Sequence, residues 1–228
     1  MLNGENFTDR AQAYAKTRPG YPEEAIEYIN SLVPPDAVFA DIGAGTGKFT
    51  ELLARHGNKV FAVEPNADMR EQLKITLAPF SNTIIVDGSA EATTLAGNSI
   101  DFIVSAQALN WFDLAAFKTE CQRIGKNDYT VITLFNNKPD DVHSISRYQK
   151  STEAFYKNPV IREFPNPIYF TRDNWLLYLS SMAGVPQKNA PGYKAYVAEM
   201  NEVFDRESTD GILRLDLVTK VYSEKGDA

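Results

Sequence analysis

The chain has 228 residues, 43% of them hydrophobic, and its 23 Lys and Arg against 30 Asp and Glu give a formal net charge of −7. This length and apolar content suit one substantial core, so we expect a single domain over residues 1–228. The acidic balance argues against nucleic acid as a partner, because a phosphate backbone is bound mainly through Lys and Arg.

Cysteine and histidine usage limits the chemistry further. The one cysteine, Cys121, excludes an internal disulfide framework and suits a reducing compartment. The two histidines, His56 and His143, lie far apart, so we expect no metal site. Residues 1–10 contain no apolar signal region, and no stretch approaches the length of a membrane span. We therefore expect a cytoplasmic protein with no membrane partner and infer no obligate protein partner.

The first predicted elements form half of a nucleotide-binding site. An apolar run over residues 38–42 predicts a buried parallel strand, and glycines at 43, 45 and 47 follow where the chain must turn sharply. Residues 46–56 show helical spacing with Gly57 as the stop, and residues 59–63 predict a second strand. Glu64 ends that strand, where a carboxylate can accept hydrogen bonds from both hydroxyls of a ribose.

Strands and helices go on alternating after Glu64. We predict a helix at 67–77, strands at 83–86 and 100–105, a helix at 114–124 and a strand at 129–135. This order is typical of a mostly parallel, doubly wound α/β sheet. Residues 136–190 break the rhythm, with a predicted helix at 142–156, a proline-studded link at 159–167 and a helix at 173–182 capped by Thr171. We interpret residues 136–195 as an insertion over the sheet edge that acts as a substrate-binding lid.

The spacing of the glycines separates two ligand classes. A dinucleotide fingerprint is G-x-G-x-x-G, whereas this chain has Asp41-x-Gly43-x-Gly45-x-Gly47. An acid before the first glycine is an awkward neighbour for a pyrophosphate but suits a ligand with an ammonium group and a sulfonium. The segment resembles motif I of the class I S-adenosylmethionine-dependent methyltransferases, and Glu64 resembles their ribose-binding acid.

The resemblance extends to other parts of the chain. Residues 7–22, 87–113 and 211–224 resemble, in turn, the N-terminal arm, the adenine loop with the fourth strand, and the last strand of the small-molecule type 11 group. It implies a Rossmann-like, seven-stranded, mostly parallel sheet with an antiparallel last strand and a helical lid insertion. It also implies S-adenosyl-L-methionine as cofactor, S-adenosyl-L-homocysteine as product, and in-line methyl transfer to a small-molecule acceptor.

The same resemblance implies which residues line the site. Substrate contacts are expected from Tyr21, Asn110 and Trp111, whereas Glu91 is expected to brace its loop. Relatives commonly carry His-Trp where this chain has Asn110-Trp111, and since Asn cannot act as a base we assign no catalytic residue. The expected cofactor-binding residues are Tyr14, Arg18, Asp41, Gly43, Ala44, Gly45, Thr46, Gly47, Glu64, Ser89, Ala90 and Gln107.

The lid offers candidate acceptor contacts. Its arginines at 147, 162 and 172 could meet an acidic acceptor, with lid core and solvated surface as the plainer interpretation. Asn166-Pro167-Ile168-Tyr169 resembles the Asn-Pro-Pro-Tyr signature of amino-methylating enzymes. Because it falls well beyond the fifth predicted strand, we predict a lid turn there instead. The aromatic residues considered for an apolar pocket are Tyr148, Phe155, Tyr156, Phe170, Trp175 and Tyr178.

Two other function classes stay open at this point. An NAD-dependent oxidoreductase would share the first strand–helix–strand unit, but it should also show G-x-G-x-x-G and a catalytic Tyr/Lys or His arrangement. A non-catalytic S-adenosylmethionine-binding protein would bind the cofactor without acceptor-dependent turnover.

Overall fold

The computed structural model describes residues 19–138, 142–180, 182, 185–186 and 188–226, and for residues 142–147 the backbone alone. The predicted contacts of Tyr14 and Arg18 lie outside these residues. The described strands are β1 (Val38–Ile42), β2 (Lys59–Val63), β3 (Thr83–Val86), β4 (Ile100–Ala106), β5 (Gly125–Asn137), β6 (Val160–Phe170) and β7 (Leu213–Lys225). The described helices are α1 (Glu23–Ser31), α2 (Lys48–Arg55), α3 (Ala67–Leu77), α4 (Leu114–Ile124), α5 (Val142–Phe155), α6 (Arg172–Ser180) and α7 (Tyr193–Glu207).

The strands form one seven-stranded sheet in the order β3-β2-β1-β4-β5-β7-β6. Strands β1 to β5 pair in parallel, while β7 runs antiparallel to both β5 and β6. The strand order reverses between β1 and β4, and such a switch point opens a crevice at the carboxyl ends of parallel strands. The predicted Rossmann-like sheet with an antiparallel last strand is confirmed.

Helices cover both faces of the sheet. Successive side chains along a strand point to opposite faces, so a strand that is apolar throughout needs cover on both. On one face, Phe39 of β1 packs with Phe49 and Leu53 of α2. On the other, Ile103 of β4 packs with Phe117 of α4. Because every central strand is buried on both sides, its sequence is a continuous apolar run rather than an alternating one.

Strand β6 corrects the prediction of a proline-studded link. Pro165 and Pro167 lie within the strand, opposite Val218 and Asp216 of β7. Strand β6 is the last in the sheet and pairs with β7 alone, so one of its sides is open and tolerates a missing N–H. Pro165 and Pro167 are two residues apart, so their nitrogens point to the same side of β6. The lid turn predicted at Asn166 is also wrong, since Asn166 is a buried residue of this strand.

The elements beyond β6 build a small core of their own. Phe170, Trp175 and Tyr178 pack with Phe204 of α7 and Leu213 of β7. Helix α7 had no counterpart in the sequence analysis. Phe170, Trp175 and Tyr178 are buried in this core, and a contribution of their rings to a substrate pocket stays a hypothesis. In the part of the chain that the structure describes, no helix has the length and apolar character needed to cross a bilayer.

Candidate functional site

The three glycines between β1 and α2 all have left-handed backbone angles, with φ of 72° at Gly43, 58° at Gly45 and 88° at Gly47. A Cβ on Gly43 would lie 2.9 Å from Cβ of Ala108, and one on Gly47 would lie 2.7 Å from Leu73 Cδ1. These two positions need glycine for packing as well as for conformation. They also bring the loop against the turn that follows β4 and against α3.

Gly45 has a different environment. A Cβ placed there would meet only the carbonyl oxygen of Gly43, at 4.0 Å. The loop therefore leaves open space beside Gly45, where a ligand can approach the backbone. The end of β2 holds the loop in place, since the backbone N–H groups of Gly43 and Ala44 donate to the carbonyl of Val63 at 2.9 and 3.0 Å.

The Glu64 carboxylate links the glycine loop to the end of β2. One oxygen accepts from the N–H of Gly45 at 2.8 Å, and the other accepts from the N–H of Asn66 at 2.9 Å. Burial raises the pKa of Glu64, and these two hydrogen bonds and the charge of Arg70 oppose the rise. Each carboxylate oxygen keeps further acceptor capacity, so the oriented group can still bind two hydroxyls of a ribose.

Asp41, at the end of β1, is a second buried acid in the site. It is 1% exposed, and its Oδ2 accepts from the Thr50 hydroxyl at 2.6 Å. Its Oδ1 has no hydrogen-bond partner among the described residues. Burial raises the pKa of Asp41 to about 7, the Thr50 hydrogen bond opposes this, and the charge of Glu64 adds to it. Two buried carboxylates beside one loop favour a ligand that carries positive charge.

Thr46 adds an unpartnered hydroxyl to the loop. It is 2% exposed, and among the described residues its Oγ1 has no hydrogen-bond partner. Its carbonyl accepts from the Thr76 hydroxyl of α3 at 2.8 Å, which fixes the backbone at the start of α2. The loop therefore presents an orphaned hydroxyl and an orphaned carboxylate oxygen, both of which a polar ligand could satisfy.

The loop after β3 forms another wall. Asp87 is held by an ion pair with Arg70 at 2.7 Å, and the same guanidinium donates to the carbonyl of Glu64 at 2.9 Å. Ser89 is partly exposed, whereas the side chain of Ala90 is buried in the core. Ala90 can therefore meet a ligand only through its backbone.

Glu91 has the bracing role expected of it. Its carboxylate accepts from the backbone N–H of Asp113 at 3.0 Å. Asp113 in turn caps α4, since its side chain accepts from the N–H groups of Ala115 and Ala116. This chain of hydrogen bonds fixes the loop after β3 to the turn after β4.

The turn after β4 carries strain and unsatisfied polar atoms. Gln107 has φ of 63°, which is uncommon for a residue with a side chain, and its N–H donates to the carbonyl of Leu134 in β5 at 2.8 Å. Strain of this kind is found most often at functional sites. Both side-chain polar atoms of Asn110 are buried and lack a hydrogen-bond partner within the described residues. Trp111 follows and is half-buried.

Tyr21 lies on the other side of the sheet from this turn. Its ring packs edge-on against Phe49 of α2, with centroids 5.3 Å apart. The carbonyl of the preceding Gly20 accepts hydrogen bonds at 3.0 Å from the side chains of both Asn136 and Asn166. The end strands of the sheet thus anchor the chain just before α1. The predicted contact of Tyr21 with substrate stays a prediction.

Two of the arginines considered for an acidic acceptor lie over aromatic rings. The guanidinium of Arg162 lies over the Tyr28 ring, 5.9 Å from its centroid. That of Arg172 lies over the Phe204 ring at 4.6 Å and also pairs with Asp205. The side chain of Arg147 lies outside the described residues. Among the residues described, no group of three or more His, Cys, Asp and Glu side chains could hold a metal ion.

One polar residue of this edge was missed by the sequence analysis. Asn137, the last residue of β5, is 5% exposed, and its Oδ1 has no partner among the described residues. No local pattern distinguishes it from Asn136, because only the pleat and the neighbouring elements determine which of the two faces a crevice. The glycine loop, Glu64, the loop after β3 and the turn after β4 together surround the carboxyl edge of the sheet.

Comparisons with known proteins agree with this geometry. The sequence pattern of a family described as "Methyltransferase domain" matches residues 40–132. An uncharacterized methyltransferase of Mycobacterium tuberculosis is 38% identical over 120 residues, which cover 52% of this chain and 47% of that protein. The chain thus matches about half the length of the first such relatives.

Two solved structures share the fold. A protein described as "a Putative Type II Methyltransferase" from Anaeromyxobacter dehalogenans aligns with a TM-score of 0.66 at 20% identity, covering 92% of this chain and 98% of that one. Phosphoethanolamine N-methyltransferase 2 of Haemonchus contortus, solved with phosphomonomethylethanolamine and S-adenosylhomocysteine, aligns with a TM-score of 0.58 at 13% identity. That alignment covers 100% of this chain and 59% of the other.

Proposed function

We propose that the chain, whose residues 40–132 match the methyltransferase-domain family and whose sheet has the class I strand order, transfers the methyl group of S-adenosylmethionine to a small-molecule acceptor held beneath residues 136–195. One observation carries the proposal: the Glu64 carboxylate is fixed between the N–H groups of Gly45 and Asn66, beside a loop position that is open to a ligand. A ribose and a glycine-lined path for the rest of the cofactor fit that arrangement.

The described residues fit the charge of this cofactor. The orphaned Asp41 Oδ1 and the buried Glu64 carboxylate suit an ammonium group and a sulfonium better than a pyrophosphate. This charge balance, together with the methyltransferase relatives, disfavours the NAD-dependent alternative. When bound, S-adenosylmethionine supplies a methyl group that its sulfonium has already activated.

The remaining task of the protein is to position the acceptor and exclude water. The side chains at the turn after β4 are amides and an indole at Gln107, Asn110 and Trp111, and none of them titrates near neutral pH. These three side chains therefore offer no general base, and the carboxylate of Asp113 in the same turn caps α4. Acceptors that ionise readily, or that carry a free lone pair, fit it better than alcohols that need a base.

The fold also supports the proposed lid. Helix α5 packs against the turn after β4, against α4 and against β5, so the start of the insertion lies beside the proposed site. The strand β6 and the small core around Phe170 belong to the same insertion but lie at the far edge of the sheet. We assign the covering role to α5.

Calorimetric titration with S-adenosylmethionine, S-adenosylhomocysteine and NAD tests the cofactor. We expect saturable binding of the first two and none of NAD. Glu64→Gln should weaken the binding by tenfold or more, since its NH₂ would face a backbone N–H in place of an acceptor. Glu51→Gln is the matched control, because this acid on α2 removes the same charge but pairs only with Arg55 at 2.6 Å on the surface.

The outcomes separate the possible functions. Equal affinity in Glu64→Gln and the wild type would contradict the site, and binding of NAD alone would contradict the proposed cofactor. Tight cofactor binding without methyl transfer to any member of a broad acceptor panel would support the non-catalytic alternative.

A further inference from the structure

Two neutral amides at the carboxyl edge, Asn110 and Asn137, have polar atoms that nothing in the described structure satisfies. Both side-chain atoms of Asn110 and the Oδ1 of Asn137 are buried without a partner. Almost all buried polar groups in folded proteins are hydrogen-bonded, so each exception calls for an explanation, and a ligand is one. Asn137 is 95% buried, which makes bulk water a poor substitute partner.

The backbone brings the segments that carry these two residues next to each other. The N–H of Gln107, just after β4, donates to the carbonyl of Leu134 in β5 at 2.8 Å. Asn110 and Asn137 each lie three residues beyond that pair. Helix α5 packs against both the turn that holds Asn110 and the strand that holds Asn137.

A third orphaned group, the hydroxyl of Ser105, lies on the same face of the sheet as Asn137 but deeper, and it is not part of this pair. Ser105 is 1% exposed and its Oγ lacks a partner in the described structure. It pairs with Thr133, four residues before Asn137, which corresponds to roughly 13 Å along the strand. Of these three side chains, only the two amides lie beyond the last paired residues of β4 and β5, Ala106 and Leu134.

Aromatic side chains adjoin the amides. Phe135 lies two residues before Asn137 on the same face of β5, and Tyr148 of α5 packs on its ring with centroids 4.5 Å apart. Trp111 directly follows Asn110 and is half-buried. The surroundings of the two amides suit a planar ring more than a flexible polar chain.

We propose that Asn110 and Asn137 bind the methyl acceptor, and that the acceptor is a hydroxylated ring compound of the phenol or enol class without a carboxylate. This proposal rests on the proposed function. One hydroxyl of such a compound donates to an amide oxygen, and the second oxygen, which receives the methyl group, accepts from the NH₂ of Asn110. A phenolic or enolic oxygen of this class gives its proton to bulk water before it enters the water-excluding site, so it needs no general base there.

A polycarboxylate is the alternative that the structure disfavours. Such an acceptor is usually held by Arg in bidentate pairs. Of the described candidates for this role, Arg162 lies over the Tyr28 ring, and Arg172, which follows the end of β6, lies over the Phe204 ring and pairs with Asp205. The orphaned side chains that follow β4 and end β5, Asn110 and Asn137, are neutral.

The first test needs no ligand. If Asn137 is kept for an acceptor, Asn137→Leu should leave the melting temperature of the apo protein unchanged or raise it by a few degrees, because the substitution removes a buried amide oxygen that has no partner among the described residues. Asn58→Leu is the control, since the NH₂ of Asn58 donates to the carbonyls of Pro35 and Ala37 at 3.1 Å each, and it should lower the melting temperature. An equal loss in both variants would overturn the proposal.

The second test measures acceptor binding by calorimetry in protein saturated with S-adenosylhomocysteine. The probes are 2,4-dihydroxyacetophenone, which is phenolic, and citrate, which is a polyacid. We expect the phenolic probe to bind and to lose about two- to tenfold in affinity in Asn110→Ala and in Asn137→Ala. Asn30→Ala is the matched control, because its Oδ1 is also orphaned among the described residues but lies on α1.

Each result decides the proposal. Binding of citrate alone, no binding of the phenolic probe at millimolar concentration, or unchanged affinity in both amide variants would overturn it. Failure of the wild type to bind S-adenosylhomocysteine would instead contradict the proposed function and is seen before any acceptor is added.

Discussion

Replacing Asp41 with Asn should make the apo protein more stable and the cofactor complex weaker. Burial raises the pKa of Asp41 from 3.8 to about 7 in the folded protein, so ionisation at pH 8 is unfavourable there compared with the unfolded chain. The shift of about three pKa units corresponds to roughly 4 kcal/mol as an upper bound, at 1.36 kcal/mol per unit. Asn removes this cost while an amide oxygen can still accept from Thr50.

Part of the stabilisation expected from Asp41→Asn is lost again. The NH₂ of Asn would occupy the place of the orphaned Oδ1, and an unsatisfied donor costs about 1–3 kcal/mol. A net gain of about 1–3 kcal/mol remains at pH 8. For a chain of this size, each kcal/mol raises the melting temperature by about 2–4 °C.

The pH dependence of the stability difference between the two proteins tests whether the buried Asp41 charge is its cause. Between about pH 4 and pH 7 the folded protein holds a proton on Asp41 that the unfolded chain has released, so this group makes the wild type less stable as the pH rises through that window. Other acids titrate over the same range, but they do so equally in Asp41→Asn. The stability difference between the two proteins should therefore grow from pH 5 to pH 7 and level off above it.

Urea unfolding of both apo proteins at pH 5, 6, 7 and 8 measures this difference. Titration with S-adenosylmethionine at pH 8 should show at least tenfold weaker binding in Asp41→Asn, since the buried carboxylate that we propose to pair with the ammonium group of the cofactor is replaced by a neutral amide. Parallel stability curves across the pH range, or an apo variant less stable than the wild type at pH 8, would refute the reasoning.

Other substitutions test the surrounding structure. Gly45→Ala should lower the melting temperature by only a few degrees, because its Cβ meets open space, yet it should weaken cofactor binding in calorimetry, whereas Gly43→Ala should cost more stability because its Cβ would lie 2.9 Å from Ala108. Equal losses of stability in the two would contradict the packing described. Asn166→Ala should destabilise the fold by about 1–2 kcal/mol in urea, because the carbonyl of Gly20 loses a partner held at 3.0 Å, and an unchanged midpoint would show that this anchor contributes nothing. The pKa of Glu120 is held at about 2 by its hydrogen bond to Arg123, so its stabilisation is full above pH 4.5 and is lost as the pH falls toward 2. Glu120→Gln should then destabilise the protein at pH 7 but hardly at pH 2, and a constant difference by circular dichroism would contradict this.

Much of the fold could be read from local sequence patterns. The bounds predicted for the first three strands, and for the helices at 67–77 and 114–124, agree with the structure, because continuous apolar runs and helical periodicity are local signals. Strand β6 could not be read in this way. Its prolines normally end a strand, and they are tolerated only because β6 lies at the edge of the sheet, which is a property of the assembled fold.

The residues of the candidate site also fall into two groups, those that local sequence patterns predict and those that only the fold places. The sequence by itself determined the glycine loop, Asp41 and Glu64, since a sharp strand-to-helix turn and an acid at a strand end are consecutive features of the chain. Only the tertiary structure decided that Arg162 and Arg172 lie over aromatic rings and that Phe170, Trp175 and Tyr178 pack into a core of their own. It likewise decided that the buried Oδ1 of Asn137 lacks a partner among the described residues, while the side chain of the adjacent Asn136 donates to the carbonyl of Gly20. The physical reason is that alternation along a strand places neighbours on opposite faces, and what each face meets depends on elements far away in the chain.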